Sequence, residues 1–535
     1  MFRYIVVGVM LVAQPLTAQS ATLQAQSLGT VHFETSCTPS VQATFLRGVA
    51  HVHSFGFGNA IRAFNDVLAG DSTCLMAHWG IALASWGNPF AAGNKPDAQL
   101  ARGLAAVGRG RALAGGTERE RGFLAAAGKL YDNYPTTEQR VRVTAYRDAM
   151  AELAARYPRD DEAQIFYAAA LAFSADPNDK TYAQQRKAGA ILQRLVARLP
   201  DHPGIAHYLI HTYDVPALAG EGLPAANRYA AIAPSSPHAL HMPSHTYTRV
   251  GKWEESIAAN LKSAKSAAEE MSIGEALHAN DYMMYAYLQT GQDSAASRVL
   301  AGLRALADRF DPNVVTTGAP PAAGFYAIAA IPARYALERG DWHGAATLEV
   351  RTSAFPFADA VTLFARGIGA AHTGDTVTSA DAIVRLQQLR NALSERRESY
   401  WSEQVEIQRR GVAAWLAFSR GAREEAVREM RATAGLEDGT DKNAITPGPI
   451  VPARELLAEM LLASGDNAGA LREFEATLTV EPDRFRALAG AMRAATAMGD
   501  SARARRHAQQ LARVAERGDT PGRADLALAR RLVSH

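Results

Sequence analysis

A chain of 535 residues that is 48% hydrophobic and 21% charged is too long for one compact core and too apolar for disorder. Several domains or one extended array are expected. A formal net charge of +2 gives no electrostatic reason to invoke nucleic acid or an anionic membrane as partner. Alanine is abundant and Val/Ile runs are scarce, which favours helices over sheets.

Taken in chain order, Met1-Phe2-Arg3 is a short basic start, residues 4–13 are apolar, and residues 14–21 are small and polar, with Leu16-Thr17-Ala18 a fair cleavage site. This layout predicts a signal peptide over residues 1–21, too short to span a membrane. No cysteine follows it directly, which argues against a lipid anchor, and no later apolar run reaches membrane length. The mature chain is therefore expected to be periplasmic or secreted, with no membrane span. Cys37 and Cys74 are the only cysteines. In an oxidising compartment they predict one disulfide, worth about 2–4 kcal/mol; two separate buried thiols are the alternative. His51 and His53, too close to share a helix face, and His78-Trp79 form a small N-terminal histidine group. Packing against Phe55 and Trp79 is the commoner fate for such rings, and pointing into a groove the rarer one.

Repeat marks begin further on. Pro200 and Pro234 are 34 residues apart, the period of the tetratricopeptide repeat, a helix–turn–helix unit. Gly251, Gly291, Gly340, Gly374, Gly421, Gly465 and Gly499 recur as stop signals between helical stretches. Ala453, Leu456, Leu457, Met460 and Leu461 follow helical spacing rather than alternation. The expected fold is all-α, a solenoid of tetratricopeptide-type helical hairpins. Its divisions are an N-terminal array over 30–310 with a histidine-rich concave groove, middle repeats over 324–435 and C-terminal repeats over 450–535. Residues 311–323 and 435–452, rich in Pro and Gly, are the candidate breaks.

Within the first array, His207/His211 and His241/His245 are two i, i+4 pairs separated by 34 residues. They occupy the same register on consecutive units, and their side chains share a helix face. Neighbouring helices pack about 8–10 Å apart, so these rings can converge on one ion with bonds of about 2 Å. His238, His278 and Asp214 are candidates for further ligands or for residues supporting them. Imidazole suits Zn, Cu, Fe and Ni, and a transition-metal ion, Zn or Cu, is the expected cofactor. The competing readings are a metal-free polar groove and simple structural histidines. Pro243, between His241 and His245, should kink the helix or mark its true start. Tyr213, Tyr247 and Tyr285 fall in groove register as candidate acid–base or hydrogen-bonding groups. Arg334 is a groove cation for an anionic group or, more readily, an i, i+4 partner of Glu338.

The segments from Arg47-Gly48 to His53-Ser54-Phe55, Met76-Ala77-His78-Trp79-Gly80, His207-Tyr208-Leu209-Ile210-His211-Thr212-Tyr213-Asp214 and Pro237-His238-Ala239-Leu240-His241-Met242-Pro243-Ser244-His245 carry a further signal. With Leu277-His278-Ala279-Asn280-Asp281-Tyr282 and Pro332-Ala333-Arg334-Tyr335-Ala336, they resemble a family of bacterial exported tetratricopeptide-repeat proteins. The resemblance covers most of residues 40–375. It implies the helical fold and the candidate sites, and no reaction.

Two functions follow as expectations. One is an exported protein whose groove holds a histidine-ligated transition-metal ion, catalytic if a coordination position stays open to water or oxygen. The other is a metal-free scaffold whose groove takes a small molecule, peptide or protein. No zincin helix, nucleophile elbow, phosphate loop or haem motif is present, so catalytic residues stay unassigned.

Overall fold

Glycine and aspartate punctuation builds most of the architecture. In the computed structural model, which describes residues 27–314 and 318–534, all seven marked glycines sit in turns between consecutive helices, with φ of 66° to 87°. That left-handed conformation strains any residue with a Cβ, so glycine ends one helix and redirects the chain. At Gly340-Asp341, Gly374-Asp375, Gly465-Asp466 and Gly499-Asp500 the following aspartate caps the next helix. Its carboxylate accepts the backbone N–H three residues on, as in Asp466 with Gly469 (2.8 Å). Each such cap stabilises its helix by about 1 kcal/mol.

The described residues are all-helical, without strands, and the helices pack in neighbouring pairs. Ala453, Leu456, Leu457, Met460 and Leu461 all lie buried, on one face of the Ala453–Ala463 helix. One large apolar cluster draws on residues from Leu28 to Met242 and a second mainly on Ala322 to Ala504. The histidine-bearing helices Pro203–Thr212 and Pro237–His241 end the span of the first cluster, and Pro243–Arg249 and Ile273–Gln289 follow before the second. Cys37 and Cys74 are joined as a disulfide, tying the N-terminal segment to the start of the Leu75–Trp86 helix. Among the described residues no helix is long and apolar enough to cross a membrane. The signal peptide expected over 1–21 lies outside the described residues.

The stretch expected as a break at 435–452 has a positive role. Its first residues complete the Arg423–Asp438 helix, and residues 439–452 then run without helix, as Pro447, Gly448, Pro449 and Pro452 dictate. This strap lies against the helices that carry the histidines. Arg334 donates to the carbonyls of Pro449 (2.8 Å) and Gly448 (2.9 Å) and to Thr446 Oγ1 (2.8 Å). Tyr282 donates to the Thr446 carbonyl (3.1 Å), and Lys442 Nζ meets Asp214 (2.7 Å). The backbone oxygens of a buried irregular segment need donors, and Arg334 and Tyr282 supply them.

Candidate metal centre

Three groups of buried side chains gather here, each with ring nitrogens or carboxylate oxygens within 4.8 Å of one another: His207/His211/His238, His241/His245/His278 and His53/Glu162/His202. The four rings of the two 34-residue-spaced pairs thus divide between two triads, and His238 and His278 complete them.

His207 and His211 share one face of the Pro203–Thr212 helix. Pro243 interrupts the following segment, so that Pro237–His241 and Pro243–Arg249 are two short helices meeting at Met242, which itself stays helical. His238 turns toward the first triad; His241 and His245 meet His278 of the Ile273–Gln289 helix.

In the first triad the hydrogen bonds fix two tautomers, because a carbonyl and a carboxylate only accept. His207 Nδ1–H donates to the His53 carbonyl (2.6 Å), and His238 Nδ1–H to Glu275 Oε1 (2.9 Å). In the neutral ring the lone pair is then on Nε2. The Nε2 atoms of His207, His211 and His238 are all buried without a hydrogen-bond partner. Phenylalanines wall this triad: His211 stacks on Phe90, with ring centres 4.1 Å apart, and Phe55 lies 4.3 Å from the His207 ring.

In the second triad His241 Nδ1–H donates to Asn260 Oδ1 (2.6 Å), whose own amide nitrogen is committed to the Ser256 carbonyl (2.8 Å). His245 Nδ1–H donates to Asp214 (2.9 Å). The two Nε2 atoms then face each other at 3.0 Å. His278 Nδ1 is buried without a partner. Burial works against the charge of Asp214, yet Lys442, the His245 hydrogen bond and Arg249 hold its carboxyl well below the usual range. Asp214 is thus a partner of His245, with its oxygens taken by His245, Arg249 and Lys442.

The third group is centred on a carboxylate, with His202 Nδ1 buried without a partner. Glu162 accepts from His53 Nε2 and His202 Nε2, both at 2.9 Å. Burial opposes its charge, but the two imidazoles hold its carboxyl down at about 2. Its role is to fix His53, whose carbonyl orients His207.

Burial pushes the imidazoles of His207, His211 and His241 well below their ordinary value, reinforced by neighbouring histidines. Burial likewise takes His245 down to about 4, against the pull of Asp214, and His278 to about 3. At neutral pH these rings are uncharged, the form that binds metals.

The remaining candidates lead elsewhere. Tyr213 OH accepts from Gln193 (2.9 Å), Tyr247 donates to Asn227 (2.9 Å), and Tyr285 donates to Glu481 (3.0 Å). Arg334 is fully buried and pairs with Asp281 (2.9 Å), while Glu338, its expected i, i+4 partner, pairs with Arg484. The helix face that Arg334 occupies is the one covered by the strap, which draws its guanidinium away from Glu338. Three residues at the centre escaped the sequence reading: Tyr282, whose ring centre is 4.7 Å from that of His241, together with Asn260 and Glu275. Glu275 and Tyr282 had a signal, since they lie one helical turn before and after His278; Asn260 had none.

A cavity of about 680 Å³ lies on the far side of the strap, lined by Tyr182, Tyr326, Tyr400 and Trp401 among others, and by Lys442 and Thr446. None of the six triad histidines lines it. The chemistry-bearing side chains and this cavity are separate features, and the donor set makes the former the candidate site. No protein-family model matches this chain, and no curated protein does.

Proposed function

We propose that this chain is an exported tetratricopeptide-type metalloprotein that binds a transition-metal ion, zinc or copper, through His207, His211 and His238. The observation that carries this reading is that the Nε2 atoms of all three rings are buried without partners, on side chains that bring ring nitrogens within 4.8 Å of one another. Each buried acceptor left unmet costs about 1–3 kcal/mol, and an ion at about 2.0–2.1 Å satisfies all three at once. Glu275 on His238 and the His53 carbonyl on His207 are the kind of outer partners that orient metal-binding imidazoles. The metal-free scaffold draws less support, because residues 439–452 already cover the face on which a peptide would lie.

Elemental analysis of the purified mature chain, before and after chelation and reloading, tests the reading. We expect bound zinc or copper, with His207→Ala and His211→Ala each removing the ion of the first triad. A wild-type chain that neither retains nor rebinds either metal overturns it. Export is tested separately: the mature N-terminus, read by mass spectrometry of a periplasmic or secreted fraction, should begin just after Ala18, and an intact Met1 overturns that part.

A further inference from the structure

The second triad poses a sharper electrostatic problem than the first. Asn260 and Asp214 take the Nδ1 protons of His241 and His245, so two Nε2 lone pairs confront each other at 3.0 Å in a buried pocket. The Asn260 orientation is set by its bond to the Ser256 carbonyl, and Asp214 is held as a carboxylate by Lys442 and Arg249. Neither outer partner can return a proton to relieve the contact. A cation between the nitrogens turns this repulsion into two bonds. With bonds of about 2.05 Å, a 3.0 Å separation subtends about 95° at the ion, an ordinary coordination angle. His278 brings a third ring into the same group.

The two triads are also neighbours. Ring centres of His211 and His245 are 5.7 Å apart, and those of His238 and His241 6.1 Å apart. We infer that the six histidines form one centre for two copper ions, three imidazoles to each, close enough to interact directly. This rests on the metal-binding reading of the first triad and adds the second ion, the adjacency and the metal.

Charge selects copper. As metal ligands all six donors act as neutral imidazoles, and the carboxylates that touch these rings are Glu275 and Asp214, the latter already offset by Lys442 and Arg249. Two divalent ions would bring four positive charges into buried ground. The cost of burying charge rises steeply with its magnitude, so two cuprous ions, with half the total, fit the pocket better. Imidazole nitrogen is a good copper donor, and no thiolate is needed.

The test is metal stoichiometry on the full mature chain, by anaerobic Cu(I) titration against a chromophoric chelator, with zinc as competitor. The expected result is two copper per chain that equimolar zinc does not displace. His241→Ala, and the volume-conserving His278→Gln, should each retain one copper and a wild-type circular-dichroism spectrum. After loading with Cu(II), electron paramagnetic resonance should integrate to far fewer than two spins in the wild type, because adjacent ions couple, and to about one in His278→Gln. One copper per chain in the wild type, lost in His207→Ala but kept in His241→Ala, overturns the inference while leaving the first-triad reading intact. So do two copper ions giving a full two-spin signal, or two zinc ions that copper fails to replace. No metal of either kind overturns both readings together.

Discussion

Two of the buried polar clusters among the described residues solve the problem of burial in opposite ways. Around Arg484 the groups are oppositely charged: its guanidinium reaches Glu338 and, at 2.7 Å, Glu455, and Arg486 meets Glu455 at 3.0 Å. Tyr285 bridges Glu481 and Arg484. Around the six histidines the groups are alike, and the Nε2 atoms of His207, His211 and His238 and the Nδ1 of His278 are buried without partners. The first cluster is compensated by the protein's own residues. The second is compensated only by something added. A buried ionic network by itself says little about function; a buried set of unmatched acceptors calls for a cation.

Breaking the charged cluster should give the largest effect. Arg484→Met strands Glu338 and weakens the hold on Glu455, a loss of about 3–5 kcal/mol. It should appear as a lower urea midpoint with metal content unchanged, and a fall in metal content would mean that the two clusters are not separate. Acid should act on the histidine cluster next. An imidazole whose folded-state pKa lies below its unfolded value of about 6.5 takes up its proton more readily in the unfolded chain. Stability of the metal-free protein therefore falls as pH drops from about 6.5 toward the value of about 4 held by His245, and on toward about 3 for His278. At 1.36 kcal/mol per unit, His245 alone accounts for on the order of 3 kcal/mol. Urea midpoints at pH 7 and pH 4.5 read this directly, and equal midpoints would mean that these rings are not buried in the neutral form.

Glu275→Gln should weaken copper or zinc binding by about 10–100-fold, the usual cost of losing the outer carboxylate of a ligating histidine. Competition with a chromophoric chelator measures it, and unchanged affinity would remove Glu275 from that role. The smallest effect belongs to Tyr247→Phe. Its hydroxyl bonds to Asn227 near the surface, so stability should change by less than about 0.5 kcal/mol and metal content not at all.

The sequence was most legible where a single residue dictates local geometry. Glycines at 251, 291, 340, 374, 421, 465 and 499 announced their turns because only glycine adopts positive φ without strain, and the apolar spacing at 453–461 announced a buried helix face. Helical spacing also marked the histidines as a cluster. It did not reveal the division into two triads, in which His238 and His241, one turn apart on the same short helix, join different groups. Nor did it reveal the outer partners. Asn260 lies 19 residues from His241, Glu275 lies 37 from His238, and the strap reaches Asp214 across 228 residues. Those contacts follow from the stacking of helices and the return of the later chain, which no local pattern encodes. The proline-rich stretch at 435–452 read as a break for the same reason: its local composition excludes helix, while its buried carbonyls find donors only in the assembled fold.

That strap also governs time. Lys442 and Thr446 lie across Asp214 and Tyr282, the residues in contact with the second triad. If the second triad holds an ion and the strap is its way out, that ion leaves no faster than residues 439–452 lift, however quickly its bonds exchange. Residence is then set by local opening of the chain rather than by ligand strength. A chelator should strip the protein at a rate that levels off with chelator concentration and tracks amide hydrogen exchange along the strap. Loading would follow the same clock in reverse, with an ion seated most readily before the C-terminal helices close over it.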